Sequence, residues 1–153
     1  MAPISEKHIK GKVIAVCTSK KKGTRKKNVG EALLRIDWGI EGDAHTGAGN
    51  RQVSLLAQES IDKMTEKGLK VGPGDFAENI TTKGIELFSL PLGSKLKIGS
   101  EVIGEVSQIG KQCLKPCAIY YLAGDCIMPK EGIFIKVAKG GMVKVADTIE
   151  VIR

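Results

Sequence analysis

The chain has 153 residues, 42% of them hydrophobic and only 4% aromatic, with 19 glycines and a formal net charge of +7. Such a length predicts one domain, 1–153, with a core of Val, Ile and Leu, and the apolar content excludes a disordered chain. No apolar run is long enough to span a bilayer and no N-terminal stretch has the form of a signal peptide, so a cytoplasmic setting is expected, where four cysteines read as free thiols or ligands rather than a disulfide frame.

Residues 1–10 carry no pattern and read as a loose end. Residues 11–18 (GKVIAVCT) place apolar side chains on both faces and predict a strand, with Cys17 a small buried hydrophobe inside it. The basic run 20–27 (KKKGTRKK) follows as a solvated loop. It holds much of the excess charge, and it also suits an anionic ligand or a docking partner. It has no interleaved aromatic, and the chain has no RNA-binding signature or helix–turn–helix pattern, so nucleic acid is not the expected partner. Residues 31–36 are a second short strand candidate, although their composition would also suit a turn of helix.

Residues 37–51 (DWGIEGDAHTGAGNR) form a glycine-rich loop without apolar periodicity. Glycine frees backbone amides to point at an anion, and Asp43, His45 and Arg51 lie close together in it. His45 could be a ligand, a general acid–base group or a hydrogen-bonded turn residue. The other histidine, His8, falls in the loose end.

Residues 52–56 are strand-like. Residues 58–67 predict a short helix, with Ile61 and Met64 at i, i+3 and Gly68 as its stop. Residues 71–76 read as a turn. Residues 77–82 (AENITT) read as a short strand, in which Asn79 either hydrogen-bonds a ligand or caps a turn. Between 87 and 108, Leu92-Gly93 and Ile98-Gly99 punctuate further short strands. Residues 132–138 predict a strand, Lys139-Gly140-Gly141 a hairpin turn, and 142–145 and 148–152 the end of the ladder. Many short strands, glycine corners and one or two short helices predict a mostly β fold, a β-barrel or rolled sheet.

The stretch 108–126 (QIGKQCLKPCAIYYLAGDC) holds Cys113, Cys117 and Cys126. Lys111 and Lys115 flank Cys113 and favour its thiolate, the form that attacks sulfur or binds a soft metal. The C-x-x-x-C spacing is neither a thioredoxin motif nor a structural zinc knuckle. Three readings stay open here: a sulfur-handling or redox site, a metal site (including zinc on Cys113, Cys117, Cys126 and His45), and a set of buried, inert thiols.

The segments GIEGDAHTGAGNRQVSLLAQESI, GDFAENITTKGI, SQIGKQC and GDCIMPKEGIFIKVAKGG, in this order, resemble the MOSC family, named for the C-terminal domain of molybdenum-cofactor sulfurases. The likeness runs from about Gly11 to Ile152 and is greatest to the small stand-alone bacterial members. It implies a MOSC-like rolled barrel and a functional cysteine, which SQIGKQC places at Cys113. It implies a molybdenum cofactor of the molybdopterin type, with Cys113 as molybdenum ligand and N-oxygenated compounds as substrates for reduction. Alternatively, it implies a sulfur carrier holding a persulfide on Cys113. Asp43, His45, Arg51, Asn79, Lys111, Glu131 and Gly132 are the matching site candidates, with Cys113 and His45 in the catalytic roles. A cysteine desulfurase or a molybdenum-cofactor biosynthesis protein is the partner implied, because the chain has no room for a pyridoxal-phosphate (PLP) domain. Two departures stand out: Leu114 occupies a position where relatives often carry His, and Ala146-Asp147 replaces Gly-Asp.

Overall fold

A computed structural model of the chain describes residues 9–21, 25–44, 46–47, 49–110 and 131–152. The short apolar runs become strands: β1 (Lys10–Thr18), β2 (Lys27–Asn28), β3 (Glu31–Arg35), β4 (Gly39–Ile40), β5 (Val53–Ala57), β6 (Ile80–Lys83), β7 (Lys95–Ile98), β8 (Val102–Ile109), β9 (Ile133–Lys139), β10 (Gly141–Lys144) and β11 (Thr148–Ile152). One helix, α1 (Gln58–Glu66), and a 3-10 turn at Leu87–Ser89 complete the described elements. None of the described helices is long and apolar enough to cross a membrane.

Seven strands close into a barrel in the order β11-β7-β8-β9-β5-β6-β1, with β11 pairing back onto β1. Closure removes the sheet edges that would otherwise expose unpaired backbone groups. Neighbours around the wall run antiparallel except β5 and β6, which are parallel. A parallel pair needs a crossover, and α1 supplies it.

Period-2 alternation sorts the side chains between two cores. On β9, Ile133, Ile135 and Val137 point into the barrel, where they meet Val16, Leu55, Ile80, Leu96 and Val106. Phe134 points outward and packs with Leu56, Phe76 and the helix residues Ile61 and Met64. The i, i+3 pair read from the sequence is thus the stripe that seats α1 on the wall. Each fully buried Leu or Ile contributes about 1.5–3 kcal/mol, so the barrel interior carries most of the stability.

Two expectations need correction. Lys139-Gly140-Gly141 is not a hairpin turn: β10 leaves β9 and pairs with β3 in a separate three-stranded sheet, β10-β3-β4. The physical reason is a close approach, since a Cβ on Gly140 would lie 2.6 Å from the Leu34 carbonyl oxygen. The glycines let the chain cross beside β3 rather than fold back on β9. Nor is the basic run solvated throughout. Lys26 within it is buried. At the N-terminus, Lys10 pairs with Glu150 on β11, and the Ile9 carbonyl accepts from the Val151 amide.

Ala146 occupies the left-handed region at φ 81°, in the turn between β10 and β11. An L residue with a Cβ is strained there by about 1–2 kcal/mol, while glycine is not. Ala146→Gly is therefore expected to stabilise the protein by about 0.5–1 kcal/mol after glycine's greater unfolded-chain entropy is subtracted, read as an increased midpoint in urea unfolding. An unchanged or lower midpoint contradicts the strain.

Candidate functional site

The basic loop after β1 and the glycine-rich loop after β4 meet on the outside of the barrel. The Lys26 ammonium sits 2.8 Å from Asp43 Oδ1, and the two side chains are 0% and 1% exposed. The same oxygen accepts from the Ser19 amide at 3.0 Å, and Lys26 Nζ also donates to Ser19 Oγ at 3.1 Å. The Ala44 amide returns a bond to the Ser19 carbonyl at 2.9 Å. Burial acts to raise the Asp43 carboxyl; hydrogen bonds from Lys26, the Ser19 amide and Asn79 outweigh it and hold the group below its ordinary 3.8.

Asn79 lies behind this pair. Its side-chain amide donates to the Cys17 carbonyl at 3.1 Å, while its Oδ1 accepts from the Ser54 amide at 3.0 Å and from Ser54 Oγ at 3.2 Å. It thereby ties β1 to the start of β5, just before β6. Glu78 is fully buried and accepts from the Gly74 and Phe76 amides and from Thr81 Oγ1. Burial pushes its carboxyl up despite these bonds. Cys17 is 0% exposed, and burial, with Glu78 adding to it, pushes its thiol up to about 12. A thiol held neutral in this way is a packing group, not a nucleophile.

A second cluster lies where β8 ends and β9 begins. Arg51 is exposed; its Nε donates to Gln108 Oε1 at 3.1 Å, and its guanidinium stacks 5.6 Å from the centre of the Phe134 ring. Two residues on, the Gly110 amide donates to the Gly132 carbonyl at 2.6 Å. Glu131, next to Gly132, accepts from Ser60 Oγ at 2.7 Å and from Lys63 Nζ at 2.9 Å, both on α1. Glu131 also lines a cleft of about 210 Å³ between α1 and the 3-10 turn, with Ser60, Ile85 and Phe88. The two flanks of the cysteine stretch are therefore pinned to one another, beside Arg51.

The sequence candidates thus fall into two groups. Asp43 and Asn79 join one buried network, while Arg51, Glu131 and Gly132 stand around the pinned flanks. His45, Lys111, Cys113, Cys117 and Cys126 lie outside the described residues. Among the described residues, no three His, Cys, Asp or Glu side chains stand at metal-ligand spacing. Sequence reasoning missed Lys26 and Gln108. Lys26 is one cation among several in its run, and no local signal separates it; Gln108, a polar residue ending a strand before the cysteines, was visible in principle.

Residues 42–150 match the MOSC domain family. The chain belongs to the MOSC domain family. Solved structures agree at the level of the fold. The YuaD protein from Bacillus subtilis aligns with a TM-score of 0.78 at 21% identity, over 94% of this chain and 96% of that chain. YiiM from Geobacillus stearothermophilus aligns at 0.69 and 17%, over 94% of this MOSC chain and 75% of its own. YiiM from Escherichia coli aligns at 0.65 and 22%, over 95% and 70%. No curated protein matches this MOSC sequence significantly.

The buried ion pair makes a sharp test of the geometry. Lys26→Met removes the cation that faces the buried Asp43 carboxylate, and is expected to cost about 3–5 kcal/mol. Adding Asp43→Asn removes that charge, so the double variant recovers most of the loss. Because the Asp43 carboxyl is lowered in the fold, its stabilising contribution is present above the unfolded value of about 3.9 and is lost as pH falls through the folded value. Asp43→Asn therefore flattens the acid limb of the stability profile. Additive losses in the double variant, or an unchanged acid limb, would contradict the pairing.

Proposed function

We propose that this MOSC protein binds a molybdenum cofactor of the molybdopterin type, with the Cys113 thiolate as molybdenum ligand, and reduces N-oxygenated compounds. The observation that carries the reading is the Gly110–Gly132 bond beside Arg51 and Gln108, within a chain of the MOSC family. It pins the two described ends of the stretch that contains Cys113 beside an exposed guanidinium, which supports a thiol and an anion-binding cation acting in one site.

The donor set suits such a group. Thiolate sulfur is a soft ligand appropriate to molybdenum. Arg51 Nε is committed to Gln108, while its two terminal nitrogens have no acceptor among the described residues and can hold a phosphate through paired hydrogen bonds. Gly42 and Gly47 have open space, among the described residues, where a side chain would stand, which leaves room for a pterin against the loop. When bound, the metal supplies two-electron redox chemistry. The chain's own residues do the rest: Arg51 anchors the anionic end, Lys111 keeps Cys113 ionised, and His45 delivers a proton to the departing oxygen. Glu131 and Gly132 hold the exit of the cysteine stretch on the wall.

Protein purified from a cofactor-competent host is expected to carry about one molybdenum per chain by elemental analysis, lost on Cys113→Ser and reduced by Arg51→Ala. Absence of the metal from the wild type, with a persulfide mass increment on Cys113 after incubation with a cysteine desulfurase, would replace this reading with a sulfur carrier.

A further inference from the structure

We infer that Lys26 and Asp43 are positioning residues, a buried latch that sets the basic loop against the glycine-rich loop so that the two form one anion-binding rim. This rests on the cofactor reading only for the identity of the anion.

The argument begins with where each residue comes from. Lys26 belongs to the loop leaving β1, and Asp43 to the loop leaving β4, and among the described residues no backbone ladder joins those two loops. The ion pair does, assisted by the Ser19 amide to Asp43 and the Ala44 amide to the Ser19 carbonyl. The basic loop is held from a second side as well. The Lys26 amide donates to the Gly74 carbonyl at 2.8 Å, and a Cβ on Gly74 would stand 2.1 Å from the Lys26 carbonyl oxygen. Gly74 itself lies at φ +89°, a conformation glycine adopts without strain. Its turn is braced in turn by Glu78. Lys26 is thus fixed by its backbone and its side chain together.

The consequence is electrostatic. With the latch closed, the exposed Lys20, Lys21, Arg25 and Lys27 are tethered to the same loop that ends in Arg51. Separate mobile loops would each meet an anion alone and would lose conformational entropy on binding. Two loops already joined present their cations together, a preorganised arrangement. The Asp43 carboxylate is spent on the latch, with its Oδ1 directed to Lys26 and Ser19. Its role in the site is therefore to hold the loop and not to contact the anion.

The test separates latching from bulk stability. The full chain carries Lys26→Met with Asp43→Asn, the pair that removes both charges, and inorganic pyrophosphate is the probe, titrated while backbone amide shifts are followed by NMR. In the wild type, amides of both loops are expected to shift with one common affinity. The double variant is expected to keep a near wild-type thermal midpoint, to bind pyrophosphate about tenfold more weakly, and to exchange the Ala44 amide faster. Ser19→Ala, which removes only the hydroxyl partner of Lys26, serves as a folded control with a smaller loss in the same direction. Wild-type affinity in both variants would overturn the proposal, as would a wild type in which only one loop responds. Pyrophosphate carries no metal, so a wild type that binds it yet holds no molybdenum would retire the cofactor reading and leave the latch standing.

Discussion

The architecture depends on one strand meeting three partners. β1 pairs with β11 through Lys10–Lys12, with β6 through Lys12–Val16 and with β2 through Cys17–Thr18. The register shift between Val13 and Ala15 makes this possible, because an irregularity bends the strand and increases its twist. One end of β1 closes the barrel, and the other end carries the chain out to the basic loop. Stability and loop placement are therefore set by the same nine residues.

Several polar groups are buried against the barrel. Lys26, Asp43, Gln52, Glu78 and Asn79 are all buried, and each has a partner. Gln52 shows the logic. Its side chain donates to Asp37 Oδ1 and accepts from the Val137 amide, so it ties the glycine-rich loop to β9. Polar burial of this kind costs stability unless every group is satisfied, and in return it fixes one arrangement of the loops. A purely apolar contact would seat these loops less specifically, because dispersion has no direction. The barrel supplies the stability that these groups draw on.

The setting of Arg51 follows from the same wall. β8 and β9 pair from Ile103 with Lys139, through two register shifts, to Ile109 with Ile133. The next bond, Gly110 to Gly132, closes the mouth of the intervening stretch. Arg51 reaches this point because the glycine-rich loop folds over β9, with its Asn50 carbonyl accepting from Ser107 Oγ on β8. A residue from before β5 and one at the end of β8 are thereby brought together across a strand that neither is adjacent to in sequence.

By itself the sequence determined the class of the fold and most of its elements. Short apolar runs around Val13, Ile98, Val106 and Ile135 pointed to strands packed on a core, and Ile61 with Met64 marked α1. The family likeness, carried by the GD-x-H, EN-I and SQIGKQC segments, was legible because those residues are contiguous. The tertiary structure decided what depends on pairings distant in sequence. Glycines at 140 and 141 signal a corner, but only the position of β3 makes it a crossover rather than a hairpin. Asp43 was visible as a polar residue beside a glycine and Asn79 as one following Glu78, yet nothing local says that Asp43 faces Lys26 or that Asn79 bridges β1 and β5. Lys26 is the clearest case: it has the same chemistry as its neighbours in the run, and only the three-dimensional position of one carboxylate separates the buried cation from the solvated ones.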